Sequence, residues 1–119
     1  MTTTLVFGAS LNASRYSNLA IRRLVENNQE TLAFGMREGT VAGVQVKTNL
    51  DEFQNIDTIT LYMNPTRQKE FYQSIIDLNP SRVIFNPGTE NHEFAEKLKK
   101  HGILVEEACT LVLLSTGQY

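Results

Sequence analysis

The sequence predicts an α/β fold: a three-layer, Rossmann-like, doubly wound parallel sheet with helices on both faces. Short runs of β-branched and apolar residues alternate along the chain with segments of helical period. The first run ends at Gly8 and passes through a polar loop into a helix-like stretch, as a β/α unit does. Size sets the bound. With 119 residues, 41% of them hydrophobic, residues 1–119 are expected to form a single domain with one core and no second substrate-binding lobe.

Residues 3–8 read as a buried first strand, and residues 16–27 as a helix with Ala20, Ile21, Leu24 and Val25 facing inward. Residues 30–35 and 44–47 follow as the second strand and a short third, and residues 49–53 as a single helical turn capped by Asn49. Residues 57–63, "DTITLYM", alternate β-formers and predict a fourth strand beside the first. At Asn64-Pro65 a helix begins, Asn64 capping and Pro65 occupying the first helical position, where it loses no needed hydrogen bond. Phe71, Ile75 and Leu78 fall on one face of it, and Asn79-Pro80 ends it. Residues 82–85 supply a fifth strand. Thr89 is expected to cap the last long helix, which buries Phe94, Ala95 and Leu98 and sets Lys97, Lys99 and Lys100 near its negative end before Gly102. Residues 103–105 form a sixth strand. The tail from Cys109 shows no usable period and is read as a short helix rather than an edge strand. Right-handed crossovers then favour the strand order 3-2-1-4-5-6, with ligands bound at the carboxyl edge where strands one and four diverge.

Composition narrows the function. A formal charge of −2 with interspersed signs offers no general attraction to nucleic acid or an anionic membrane. No apolar run approaches the roughly 20 residues a bilayer span needs, and the N-terminus does not read as an export signal. A single cysteine, Cys109, rules out an internal disulfide framework and suits a reducing, cytoplasmic setting.

Three loops meet at the predicted switch point, residues 8–17, 35–39 and 63–67, with residues 86–90 nearby. In the first, Gly8 permits a tight turn, Ser10, Ser14 and Ser17 offer hydroxyls, and Arg15 adds a fixed positive charge at a helix N-terminus, which together make an anion site. A serine-capped turn with a solvated arginine has the same composition; its place in the first β/α turn favours the anion site. The second loop, "FGMREG", lacks the acidic residue that binds the ribose hydroxyls of NAD. It presents Arg37 instead, matched to a ribose phosphate such as the 3′-phosphate of coenzyme A or the 2′-phosphate of NADP, although an exposed turn arginine would look the same.

"VFGAS" with its polar loop, Gly43 before a short strand, the "LDEF" turn, "DTITLYMNP", "IFNPGTEN" and "GILVEEACTL" together resemble the small stand-alone CoA-binding domain proteins, which share their fold with the nucleotide-binding half of the succinyl-CoA synthetase α subunit. The resemblance runs over nearly the whole chain and departs from it at "TLAFGMRE", where relatives carry a proline-containing stretch and a lysine in place of Arg37. It implies that Gly8, Ser10, Arg15 and Ser17 hold a diphosphate, that Arg37 holds the adenosine phosphate, and that Asn64-Pro65 packs beside the ligand. Ala9, Asn18, Gly35, Met63, Asn86 and Gly88, from the same loops and their flanks, complete the expected contact set.

No catalytic constellation is evident. His92 and His101 lie at the two ends of the last long helix without a partner acid, base or nucleophile at useful spacing. Cys109 reads as a small buried hydrophobe, and the adjacent pairs Asp51-Glu52 and Glu106-Glu107 as solvated charge rather than a metal site. The expected function is non-catalytic binding of coenzyme A or acyl-CoA, a small nucleotide ligand, by a chain that could also join a protein partner or a second copy of itself. An NADP-binding oxidoreductase fragment and a Rossmann-like interaction protein without a ligand are the alternatives.

Overall fold

The computed structural model describes residues 2–119. Its strands are β1 (Thr3–Ala9), β2 (Glu30–Gly35), β3 (Gly39–Val41), β4 (Val44–Lys47), β5 (Thr58–Leu61), β6 (Arg82–Phe85) and β7 (Leu104–Glu107). They form one sheet in the order β3-β4-β2-β1-β5-β6-β7. Every pairing is parallel except that of β3 with β4, an antiparallel hairpin at one edge. The six expected strands stand in their expected order, and β3 is an addition to it. Three residues are too few to show a period, and the hairpin turns through Ala42 (φ 51°) and Gly43 (φ 81°), of which only the glycine signals such a turn.

Helix α1 (Tyr16–Glu26) carries the chain from β1 to β2 and buries Ala20, Ile21 and Leu24; Val25, expected inward, is exposed. The turn after β4 is a 3-10 helix, Leu50–Glu52, capped as expected by Asn49, whose side chain accepts from the Asp51 N–H at 3.0 Å. One continuous helix was expected after β5, and it is broken: α2 (Pro65–Gln68), a 3-10 turn at Lys69–Phe71, then α3 (Tyr72–Leu78). Phe71 leaves the helical path (φ −109°, ψ 1°) and sets its ring edge-on against Phe7 and Phe34, at 5.4 and 5.6 Å between centroids. Helix α4 (His92–Lys100) starts later than expected. Its cap is Asn91, which accepts from the Phe94 N–H, while Thr89 turns back and donates to the Asn86 carbonyl. The tail forms helix α5 (Thr110–Ser115). No helix among the described residues is long and apolar enough to cross a membrane.

Alternate residues of β1 feed two cores, as the two-residue period of a doubly covered strand requires. Leu5 and Phe7 join Phe34, Leu61, Ile75, Phe85, Phe94 and Leu98 on one face, and Val6 joins Ile21, Leu24, Val46 and Leu114 on the other. Strands β2 and β5 flank β1 on opposite sides, so the loops leaving their carboxyl ends diverge over β1. That divergence opens the site.

Candidate functional site

A cleft of about 810 Å³ lies over the carboxyl ends of β1, β2 and β5. Its floor is set by close backbone approach. Gly8 has φ 97°, and a Cβ there would lie 3.2 Å from the Tyr62 carbonyl carbon, so a side chain would meet both backbone strain and the next strand. Gly35 is required for another reason: its Cβ would sit 2.4 Å from the Ala9 carbonyl oxygen, where β1 and β2 shift register.

Asn12 shapes the first loop. Its side-chain oxygen accepts from the Ser14 N–H and hydroxyl at 3.0 and 2.8 Å, its own N–H donates to the Ser10 hydroxyl oxygen, and its carbonyl accepts from the Arg15 N–H. Asn18, buried in α1, ties the loop to the helix by donating to the Ser10 carbonyl at 2.9 Å, and accepts from Arg22 Nε. The Ser14 proton is thereby committed to Asn12. No side chain caps α1, and among the described residues the Ser17 hydroxyl makes no protein hydrogen bond. Uncapped first-turn N–H groups and a hydroxyl at the cleft wall form an acceptor-seeking surface.

Nine of the expected contact residues line the cleft. Gly8, Ala9, Ser10, Arg15 and Ser17 come from the first loop and the start of α1, Arg37 from the tip of β2, Met63 and Asn64 from the end of β5, and Gly88 from beyond β6. Asn18, Gly35, Pro65 and Asn86 stand behind it. Asn86 is buried, donating to the Thr60 hydroxyl and the Leu61 carbonyl and accepting from the Thr110 N–H, which clamps β5, β6 and the start of α5 together. Asn64 caps α2 through the Arg67 N–H at 3.0 Å, with Pro65 at the first helical position, as its sequence predicts.

Leu11, Asn12, Tyr16, Met36, Tyr62, Arg67 and Thr89 also line the cleft, beyond the contacts expected from the sequence. Asn12 is legible as an Asx turn two residues before Ser14. Arg67 is legible as an arginine in the first turn of a helix that starts at the switch point. Leu11 is not legible: its side chain covers Gly39, whose Cβ would lie 2.5 Å from a Leu11 methyl, a contact made only by the edge hairpin. Gln68, buried just behind the wall, donates to the Met63 and Thr89 carbonyls at 2.8 Å each and locks two cleft loops together.

Charge gives the cleft its character. Arg15, Arg37 and Arg67 line it, none forms an ion pair among the described residues, and no carboxylate lines it. The basic wall therefore belongs to a chain whose net charge is −2, and low-dielectric walls focus such a field on a bound anion. Tyr62, at the cleft wall, has its phenol pushed up to about 12, by burial first and by nearby Cys109 second. The Thr60 and Thr110 hydroxyls near it bond each other at 2.7 Å, and among the described residues the Tyr62 hydroxyl makes no well-formed hydrogen bond.

The remaining candidates lie elsewhere. His92 is exposed at the start of α4, and His101 Nδ1 meets the Lys97 carbonyl at 2.9 Å. Cys109 is half-buried rather than fully buried, at the position before α5. Asp51, Glu52 and Glu107 are exposed, as expected of solvated charge, and only Glu106 is half-buried, where it pairs with Arg82 at 3.2 Å.

An arginine-lined cleft at this switch point, with one arginine at the tip of β2, coincides with a match to the CoA binding domain family model over residues 2–115. The chain belongs to that family. The chain is also similar to solved structures. One, a crystal structure of an uncharacterized protein, is 42% identical with a TM-score of 0.95, the match covering 100% of this chain and 98% of that one. A protein from Thermus thermophilus is 21% identical, with a TM-score of 0.87 over 99% of this chain and 90% of that one. A hypothetical protein from Pyrococcus horikoshii is 21% identical, with a TM-score of 0.86 over 95% and 81%. At the last two identities the likeness shows the fold. Among curated proteins no relative matches the chain.

Proposed function

We propose that the cleft binds coenzyme A or an acyl-CoA without transforming it, in the manner of a sensor or a detached subunit of a larger assembly. The observation that carries this reading is the set of unpaired arginines around the uncapped N-terminus of α1, in a cleft without carboxylates. An anionic ligand is favoured there, and membership of the CoA binding domain family supports coenzyme A among anionic nucleotides. In this reading the diphosphate sits over Gly8, Ser10 and Ser17 at the start of α1, beside Arg15. Arg37 takes the 3′-phosphate, and Met63, Asn64 and Gly88 border the pantetheine arm. Asn18, Gly35 and Asn86 act from behind, by holding the loops in shape.

Calorimetric titration with coenzyme A, dephospho-CoA, NADP and NAD tests the reading. Coenzyme A is expected to bind most tightly, and Arg37→Ala to weaken it by about 1.5–3 kcal/mol, the scale of a hydrogen bond to a charged group. Dephospho-CoA, lacking the phosphate assigned to Arg37, should be indifferent to that substitution. Tighter binding of NADP than of coenzyme A would replace this reading with the oxidoreductase alternative, and equal wild-type affinity for coenzyme A and dephospho-CoA would remove the role given to Arg37.

A further inference from the structure

We infer that Arg67 is a second side-chain ligand of the diphosphate, facing Arg15 across the N-terminus of α1, so that the site grips a nucleotide diphosphate from both flanks. The inference rests on the coenzyme A reading. Topology separates the three cleft arginines: Arg37 leaves the tip of β2, Arg15 precedes α1 above β1, and Arg67 rises from α2, which follows β5 on the flank of β1 opposite β2. Arg37 and Arg67 thus enter the cleft from opposite flanks of β1, and in this reading the phosphates nearest to Arg67 are those lying over β1 and the start of α1.

The base of Arg67 is held before any ligand arrives. Its N–H donates to both the Asn64 side-chain oxygen and the Asn64 carbonyl, at 3.0 and 3.1 Å. Its neighbour Gln68 is buried and fastened to the Met63 and Thr89 carbonyls. The guanidinium, by contrast, is exposed and forms no ion pair or side-chain hydrogen bond among the described residues. A fixed backbone carrying an unengaged planar fork of donors is matched to phosphate oxygens, which accept such a fork in pairs.

Titrations of wild type, Arg67→Ala, Arg67→Lys and Arg37→Ala with coenzyme A and with dephospho-CoA test this. Arg67→Ala is expected to weaken both ligands by the same factor, about ten- to a hundredfold, because both keep the diphosphate. Arg67→Lys, which keeps the charge but not the fork, should lose less. The loss in Arg37→Ala should be confined to coenzyme A. Wild-type affinity for coenzyme A in Arg67→Ala would overturn the inference and leave the coenzyme A reading standing, as would a loss seen with coenzyme A but not with dephospho-CoA. Failure of the wild-type protein to bind coenzyme A would overturn both. Should Arg67→Ala not fold, Arg67→Lys decides the matter: a loss in it shared equally by the two ligands supports the inference, and unchanged affinity for both overturns it.

Discussion

Tyr62 occupies the cleft wall with its hydroxyl shut away from water, beside the Thr60 and Thr110 hydroxyls but with no well-formed hydrogen bond among the described residues. A buried hydroxyl without a partner costs about 1–3 kcal/mol, so Tyr62→Phe should raise stability by roughly 1 kcal/mol in urea unfolding near neutral pH. The pH dependence has a definite sign. The phenol ionises near pH 10 in the unfolded chain and near 12 in the folded one, so between those values the unfolded state holds fewer protons and stability falls as pH rises. Its full extent is about 3 kcal/mol. Between about pH 9 and 11 the wild-type protein should therefore lose roughly 1 kcal/mol more than Tyr62→Phe does; parallel losses would show that burial does not hold the proton. Other expected contacts turn out to be supports. Asn18 and Asn86 look like ligand donors in sequence because they stand beside the cleft loops, yet their donors and acceptors are used inside the protein. Sequence shows which groups a residue carries; which partners reach those groups first depends on neighbours 24 to 26 positions away in the case of Asn86.

Strands and helices follow local rules until a distant contact outweighs them. Asn49 and Asn64 cap their helical turns because an Asx side chain reaches backbone N–H groups two or three residues ahead. Thr89 fails as a cap because its hydroxyl is drawn back to the Asn86 carbonyl at 2.7 Å, leaving Asn91 to start α4. The helix after β5 breaks where Phe71 completes a cluster with Phe7 and Phe34, whose rings lie 4.8 Å apart, directly before Gly8 and Gly35 in the chain. Asn86 joins three elements at once. Asn86→Ala should leave the Leu61 carbonyl without its side-chain donor and the Thr110 N–H unpaired, at a cost of at least about 2 kcal/mol in urea unfolding. A loss below about 0.5 kcal/mol would mean that α5 is held by Leu114 packing and the Thr60–Thr110 bond alone.

At the scale of the whole molecule, a ligand that binds only the folded chain stabilises it by mass action. Coenzyme A at a hundred times its dissociation constant should add about 2.7 kcal/mol, raising Tm by roughly 10 °C for a chain of this size. The rise should shrink with added salt as the arginine attraction is screened. An unchanged Tm would argue against binding, and a rise indifferent to salt would argue against the arginine wall as its source. The sequence by itself determined the alternation of strands and helices, the order of six strands and the edge of the sheet where the ligand loops gather. Those features follow from side-chain period, turn chemistry and the handedness of crossovers, which act over a few residues or hold for every chain. Tertiary structure decided the edge hairpin that seats Leu11 on Gly39, the break at Phe71, the recruitment of Tyr62 to the cleft, and the withdrawal of Asn18, Gly35 and Asn86 behind it. Each of those depends on which surfaces meet once the sheet has closed its two cores, a long-range outcome that no local pattern encodes.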